Sequence, residues 1–204
     1  MLRRRLVLAA PLGLAACGSL LPRQKYVPRI IWPLQPPAPA ANAAPGTGKV
    51  LLVRAITAAP GLDQRGLQSL GADGSLNVDY YNLWAVPPAD ALTQSLITWA
   101  QASGMFAAVV TPGTRLTPGL IAEGELTQLL ADLPANMARA RMSLLIIKAS
   151  GAVAGFAQPL AQLSLSASAP IAGSGAQAQA EAENQAVASL LGQAMAALRR
   201  YAGG

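Results

Sequence analysis

The chain has no histidine, which removes the commonest general base at neutral pH and the commonest metal ligand. It has a single cysteine, Cys17, so no disulfide can form within the chain and no thiolate cluster can hold zinc. Nine carboxylates among 204 residues leave hydrolase triads and metal sites little material. A carboxylate-only mechanism would need a pair such as Glu123 and Glu125. Residues two apart in a strand share a face, and this pair reads more simply as a solvated strand edge. The chain is therefore read as a non-enzyme with no metal and no cofactor. Aromatics are only 4% of residues, and no lysine or arginine run follows the first few residues, so the footprint of nucleic-acid binding is missing. Beyond the amino terminus no stretch approaches about 18 uninterrupted apolar residues, and the remainder is expected to be soluble.

What is present starts with Arg3-Arg4-Arg5, an apolar run over residues 6–14, and Leu14-Ala15-Ala16-Cys17-Gly18-Ser19. A cationic start, a short apolar segment and small residues before a cut site form a secretory signal. The run is too short to span a bilayer. Its ending resembles a bacterial lipobox, in which the cysteine sulfur is acylated, the chain is cut before it, and the new amino terminus is acylated too. This reading makes residues 1–16 a lipoprotein signal peptide, 17–48 a lipid anchor and proline-rich linker, and 49–204 the domain. One lipid chain holds a protein weakly, whereas two or more anchor it stably. An ordinary signal peptide with a free cysteine, or a twin-arginine signal using Arg4-Arg5, stays open. Without the signal, twelve basic residues face nine acidic ones, a thinly spread positive balance.

Residues 18–48 carry Pro22, Pro28, Pro33, Pro36, Pro37, Pro39 and Pro45, which forbid a helix and keep the chain extended. In polyproline form they would reach on the order of 90 Å. Tyr26-Val27 and Ile30-Ile31-Trp32 are too apolar for a free linker, so one of them is expected to dock as an edge strand. Gly46-Thr47-Gly48-Lys49-Val50 looks like a phosphate-binding loop but fails, because position 43 is alanine, Val50 replaces Ser or Thr, and the loop precedes a strand.

Residues 49–56 are apolar and β-branched, a first strand. Gly71-Ala72-Asp73-Gly74 joins residues 67–70 and 76–81 as a hairpin. Leu76, Val78 and Tyr80 are expected on a core face and Asn77, Asp79 and Tyr81 on a wet one. Pro87-Pro88 opens a helix in which Asp90 suits the positive end, Leu92, Leu96 and Trp99 recur at helical spacing, and Gly104 ends the pattern. Strands are expected at residues 105–110, 120–133 with a break at Gly124, 137–149 and 156–167. From Ala176 an alanine-rich helix carries Val187, Leu190, Leu191, Ala194, Leu198 and Tyr201 in one stripe, with Glu181 and Glu183 early and Arg199 and Arg200 late. The fold class is α/β, bordering on α+β: a mixed, mainly antiparallel sheet of six or seven strands with two main helices packed on it. The helical crossover between Tyr80 and Phe106 is expected to join a parallel pair.

Ala59-Pro60-Gly61-Leu62-Asp63, then Val78-Asp79-Tyr80-Tyr81-Asn82-Leu83-Trp84-Ala85-Val86-Pro87-Pro88, then Leu92, Leu96 and Ser103-Gly104-Met105-Phe106 resemble the auxiliary lipoprotein component of ABC-type transport systems. That family includes the paraquat-inducible lipoprotein and accompanies mammalian-cell-entry (MCE) proteins. The resemblance runs over residues 49–201. A Tyr-x-Leu segment that usually leads the first family strand is blurred here between Tyr26 and Leu34. The resemblance implies a layered, anticodon-binding-domain-like fold of three layers. It also implies a periplasmic, non-enzymatic subunit of a lipid-transport complex, lipid-anchored to the outer membrane and meeting an MCE-domain protein. Gly18 after the cysteine agrees with outer-membrane sorting as known in enteric bacteria. Two further readings stay open: a lipid-binding carrier module, and an outer-membrane assembly lipoprotein unrelated to a transporter. Homo-oligomerisation also stays open. Tyr81 and Trp84 are the candidates for a partner surface, since aromatics concentrate at binding hot spots; the alternative for Trp84 is a core anchor at the strand-to-helix turn.

Overall fold

The structure, a computed structural model, describes residues 25–40, 46–149 and 157–203. The signal, Cys17, Pro22, Pro45 and the turn that Ser150-Gly151 predicts between the last two strands lie outside the described residues. The sheet is built on β7 (Leu120–Asp132), thirteen residues long. One of its edges takes β8 (Met137–Lys148) antiparallel along its full length. The other edge is tiled in chain order by three short parallel strands: β2 (Val50–Val53), β3 (Thr57–Ala58) and β4 (Gly66–Leu70). Beyond β8 lies β9 (Gln158–Pro170), antiparallel, and beyond β2 lies β6 (Ala108–Val110), parallel. β5 (Leu76–Trp84) pairs antiparallel with β4, and β1 (Ile30–Trp32) joins β5 in parallel.

Among the described residues the sheet thus has nine strands, more than six or seven, because β1 joins as an edge strand and the two-residue β3 finds a partner that its length did not advertise. The long ladders among β7, β8 and β9 are antiparallel and dominate the pairing. The helix α1 (Pro88–Ala102) joins β5 to β6, which are not neighbours, so the crossover does not create the parallel pair expected of it. Parallel pairs arise instead where β2, β3 and β4 lie along β7, where β6 lies on β2, and where β1 lies on β5.

In β8 the alternation is clean: Ala138, Ala140, Met142, Leu144 and Ile146 are buried, while Arg139 and Arg141 are exposed on the other face. Gly124 does not break β7. A side-chain carbon there would come within 2.7 Å of Ser143 O, so glycine is what lets the two strands close at that point. The second helix, α2 (Gly175–Ala202), lays Ala186, Val187, Leu190, Leu191, Ala194 and Leu198 against the sheet. Both helices share one core cluster and touch each other, so the described elements form two layers, one sheet and one helix layer, where the resemblance implied three.

The helix ends are handled as the sequence indicates. Pro88 lies in the first turn of α1, and Gly104 follows its end at φ 64°. At the end of α2, Lys49 Nζ donates to Tyr201 O (3.2 Å) and Gly203 O (2.6 Å), and Lys49 N to Ala202 O (3.1 Å); a cation there complements the helix dipole. Gly48 approaches Ala202 O too closely for a side chain, so residues 46–48 pack on the domain. At the start of α2 the expectation needs correction. The helix begins at Gly175, so neither Glu181 nor Glu183 is in the first turn, and Glu183 is buried among the apolar stripe.

Candidate docking surface

The proline-rich entry to the domain is docked, with its edge strand at Ile30–Trp32 as expected. Leu34 is buried, Trp99 Nε1 donates to Pro36 O at 3.5 Å, and Asn184 of α2 accepts from Gln35 N (2.8 Å) and donates to Pro33 O (3.0 Å). The reach expected of a tether over residues 18–48 is cut accordingly. Twelve residues, 18–29, separate Cys17 from the first strand, and a chain of that length spans at most about 40 Å.

β5 is held at its far end and out of regular register at its middle. Gly66 pairs with Leu83, yet Gln68 pairs with Val78, so residues 79–82 form a bulge. Asp79 fixes it: one carboxylate oxygen accepts from Tyr81 N (2.7 Å) and Asn82 N (2.9 Å), the other from Asn82 Nδ2 (2.8 Å). Partial burial pushes the Asp79 carboxyl up, but the three hydrogen bonds outweigh it and hold the pKa below the usual value. Asn82 Oδ1 in turn accepts from Trp32 Nε1 at 3.2 Å, which ties β1 to the bulge. Gly66 is obligatory, because a side-chain carbon would meet the backbone oxygen of Asp79 at 2.5 Å.

The bulge presents aromatics to solvent. Tyr80 is 64% exposed and Tyr81 43%; their rings meet edge-on at 5.2 Å, and the Arg29 guanidinium lies 4.1 Å over the Tyr80 ring. Leu76 and Val78 are exposed too, which overturns the expectation that Leu76, Val78 and Tyr80 face the core. Period-two alternation is present, but the helices pack mainly on β2, β3 and β6 to β9, and this arm of the hairpin projects beyond their cover. Trp84 is 1% exposed. Its backbone exchanges hydrogen bonds with Arg65, Trp84 N to Arg65 O at 2.7 Å and Arg65 Nε to Trp84 O at 2.7 Å. Trp84 is therefore a core anchor at the strand-to-helix turn and offers no face to a partner, because the core encloses its ring. Of the two aromatic candidates only Tyr81 reaches the surface.

Two other groups bear on chemistry. Glu123 forms an ion pair with Arg54 at 2.6 Å, and with Glu125 it lies on the uncovered face of a central strand, not on an edge. A shallow cleft of about 230 Å³ beside it is lined by Glu123, Ser143, Leu145 and Gln162 among others. Among the described residues no cluster of His, Cys, Asp or Glu could hold a metal ion, and no helix is long and apolar enough to cross a membrane. Glu183 was missed as a special position. It is fully buried; Gln179 Nε2 donates to its Oε1 (2.7 Å) and to Gln68 O (2.8 Å), and its Oε2 has no hydrogen-bond partner. Burial pushes this carboxyl up to about 8, against the opposing hydrogen bond from Gln179.

A mixed α/β sheet with one helix layer and an aromatic hairpin standing clear of it defines the structural class. The chain belongs to the family of ABC-type transport auxiliary lipoprotein components, whose family model matches residues 32–195. Its fold is similar to that of protein XCC0632 from Xanthomonas campestris, assigned to the DUF330 family, with a TM-score of 0.69 at 20% identity over 84% of this chain and 96% of that one. An uncharacterized protein has a TM-score of 0.59 at 14% identity, covering 79% and 99%. The hypothetical protein CT253 from Chlamydia trachomatis has a TM-score of 0.53 at 9% identity, covering 75% and 97%. No curated protein matches the chain.

Proposed function

We propose that this protein is the non-enzymatic auxiliary subunit of an ABC/MCE-type intermembrane lipid transport system. It is acylated at Cys17, held on the periplasmic face of the outer membrane, and docks an MCE-domain protein there. The observation that carries the reading is the order along one chain: a lipobox-like Leu14-Ala15-Ala16-Cys17, then a short tether, then a domain of the auxiliary-lipoprotein family. The chemistry of the chain agrees, since it has no histidine and Glu123 is paired with Arg54. The role needs no cofactor. The carrier alternative requires a cavity between helices and sheet; that interface is filled by alanine and leucine side chains. Crosslinking the membrane-bound protein in its native host and identifying the captured chains tests the role. Capture of an MCE-domain protein is expected. Capture of outer-membrane assembly proteins with no transporter subunit would replace the proposal by the assembly-lipoprotein reading.

A further inference from the structure

Of the eleven exposed large apolar side chains among the described residues, Tyr26, Val27, Leu76, Val78, Tyr80, Tyr81 and Leu133 lie toward one end of the sheet, and Ile30 and Ile31 flank them on β1, level with Asn82 and Leu83. The topology explains why they gather. β4 and β7 run parallel, with Leu70 opposite Asp132, so the β4–β5 turn and the β7–β8 turn emerge at the same end; Leu133 N donates to Leu70 O at 3.2 Å. β1 is parallel to β5, so the residues before Ile30 also run toward that end, as the Arg29 guanidinium over Tyr80 shows. The opposite end holds Lys49 and the end of α2.

We propose that this end of the sheet is a membrane-docking surface whose occupant is the lipid bilayer. The inference names the partner of the Tyr81 surface and rests on the reading of Cys17 as the lipid anchor. Eight peptide steps separate Cys17 from Lys25 and span at most about 28 Å. The tether thus enters the domain at the apolar end and holds that end, not the opposite one, against the membrane. The side chains suit an interface: Tyr26, Tyr80 and Tyr81 have an apolar body and a polar tip, Ile31 and Leu76 supply aliphatic surface, and Lys25 and Arg29 favour anionic headgroups. Of the nearby acids, Asp79 is turned into backbone N–H groups and Asp73 into Ser75. Exposed apolar patches of this kind mark either a protein or a membrane contact, and the tether length selects the membrane. The MCE assembly then meets another face.

The test uses the full chain, wild type and Cys17→Ser, with vesicles of phosphatidylethanolamine and phosphatidylglycerol doped with a diazirine-bearing phospholipid. Intact mass reports acylation, and peptide mapping reports lipid adducts. Adducts on residues 25–31 and 76–81, with residues 162–168 clean, are expected. Leu76→Ser/Tyr80→Ser lowers those adducts by about an order of magnitude while leaving acylation and melting temperature unchanged. An acylated, vesicle-bound chain without adducts in these segments overturns the docking surface and leaves the anchor standing. An unacylated chain refutes the anchor alone; the surface then stands if Cys17→Ser still collects adducts there and falls if it does not. Capture of a protein by these residues in native membranes, with no lipid adducts, also overturns the proposal.

Discussion

Glu183 enters the core of the folded chain as a neutral acid, and Glu183→Gln isolates what that costs. In the unfolded chain the carboxyl ionises near its ordinary value of 4.5, whereas in the fold burial raises it to about 8. Between those values the unfolded state binds fewer protons than the folded state, so stability is full below pH 4.5 and is lost progressively as pH rises toward 8. At about 1.4 kcal/mol per pH unit, the loss by pH 7 is on the order of 3 kcal/mol. The amide is nearly isosteric with the protonated acid and still accepts from Gln179 Nε2. Glu183→Gln is therefore expected to exceed wild type by less than about 1 kcal/mol at pH 5 and by about 3 kcal/mol at pH 7. Urea unfolding at pH 5, 6, 7 and 8 measures this. The absence of histidine sharpens the experiment, because no side chain of ordinary pKa titrates in that window. Parallel stability profiles for the two proteins over the whole range would refute the reasoning.

The remaining expectations concern packing and the backbone. Trp84→Ala should cost about 3–5 kcal/mol in chemical denaturation because the ring is fully enclosed. Tyr81→Ala should cost about 0.5 kcal/mol or less, and equal costs would contradict the assignment of one to the core and the other to the surface. Gly124→Ala should lower stability by about 1–3 kcal/mol through its collision with Ser143 O, and a neutral result would show that β7 and β8 can separate there. Asn136 sits at φ 52° and donates from Nδ2 to Ile171 O at 3.1 Å. Asn136→Ala should therefore cost about 1–2 kcal/mol, whereas Asn136→Gly should recover the backbone part of that loss.

Local chemistry made much of the fold legible. The alternation from Ala138 to Ile146 faces the helix layer as its period predicts, Pro88 and Gly104 bracket α1, and Asp73-Gly74 turns the hairpin, with Gly74 at φ 80°. What escaped reading depends on long-range pairing. Nothing local in Thr57-Ala58 announces a strand, because its partner is Glu125-Leu126 across the sheet. The same limit explains the hairpin: alternation at Leu76, Val78 and Tyr80 fixes two faces, but whether a helix covers one of them depends on where the crossover lands. Glu183 was within reach. It stands four residues before Val187 and seven before Leu190, inside the apolar stripe and well past the helix start at Gly175, so its position in the stripe outweighs its charge. Tyr81 and Trp84 could not be separated by composition; the bulge pinned by Asp79 turns one outward, and the strand-to-helix turn encloses the other. Cys17 was named from the sequence and lies outside the described residues.

The central claim is that a lipid on Cys17 holds this domain at a membrane, and intact mass with membrane fractionation of wild type beside Cys17→Ser tests it most directly. The account predicts that the wild-type chain begins at an acylated Cys17 and sediments with the outer membrane, while Cys17→Ser keeps its signal or is released. A wild-type protein that is soluble and carries an unmodified thiol at Cys17 would contradict it.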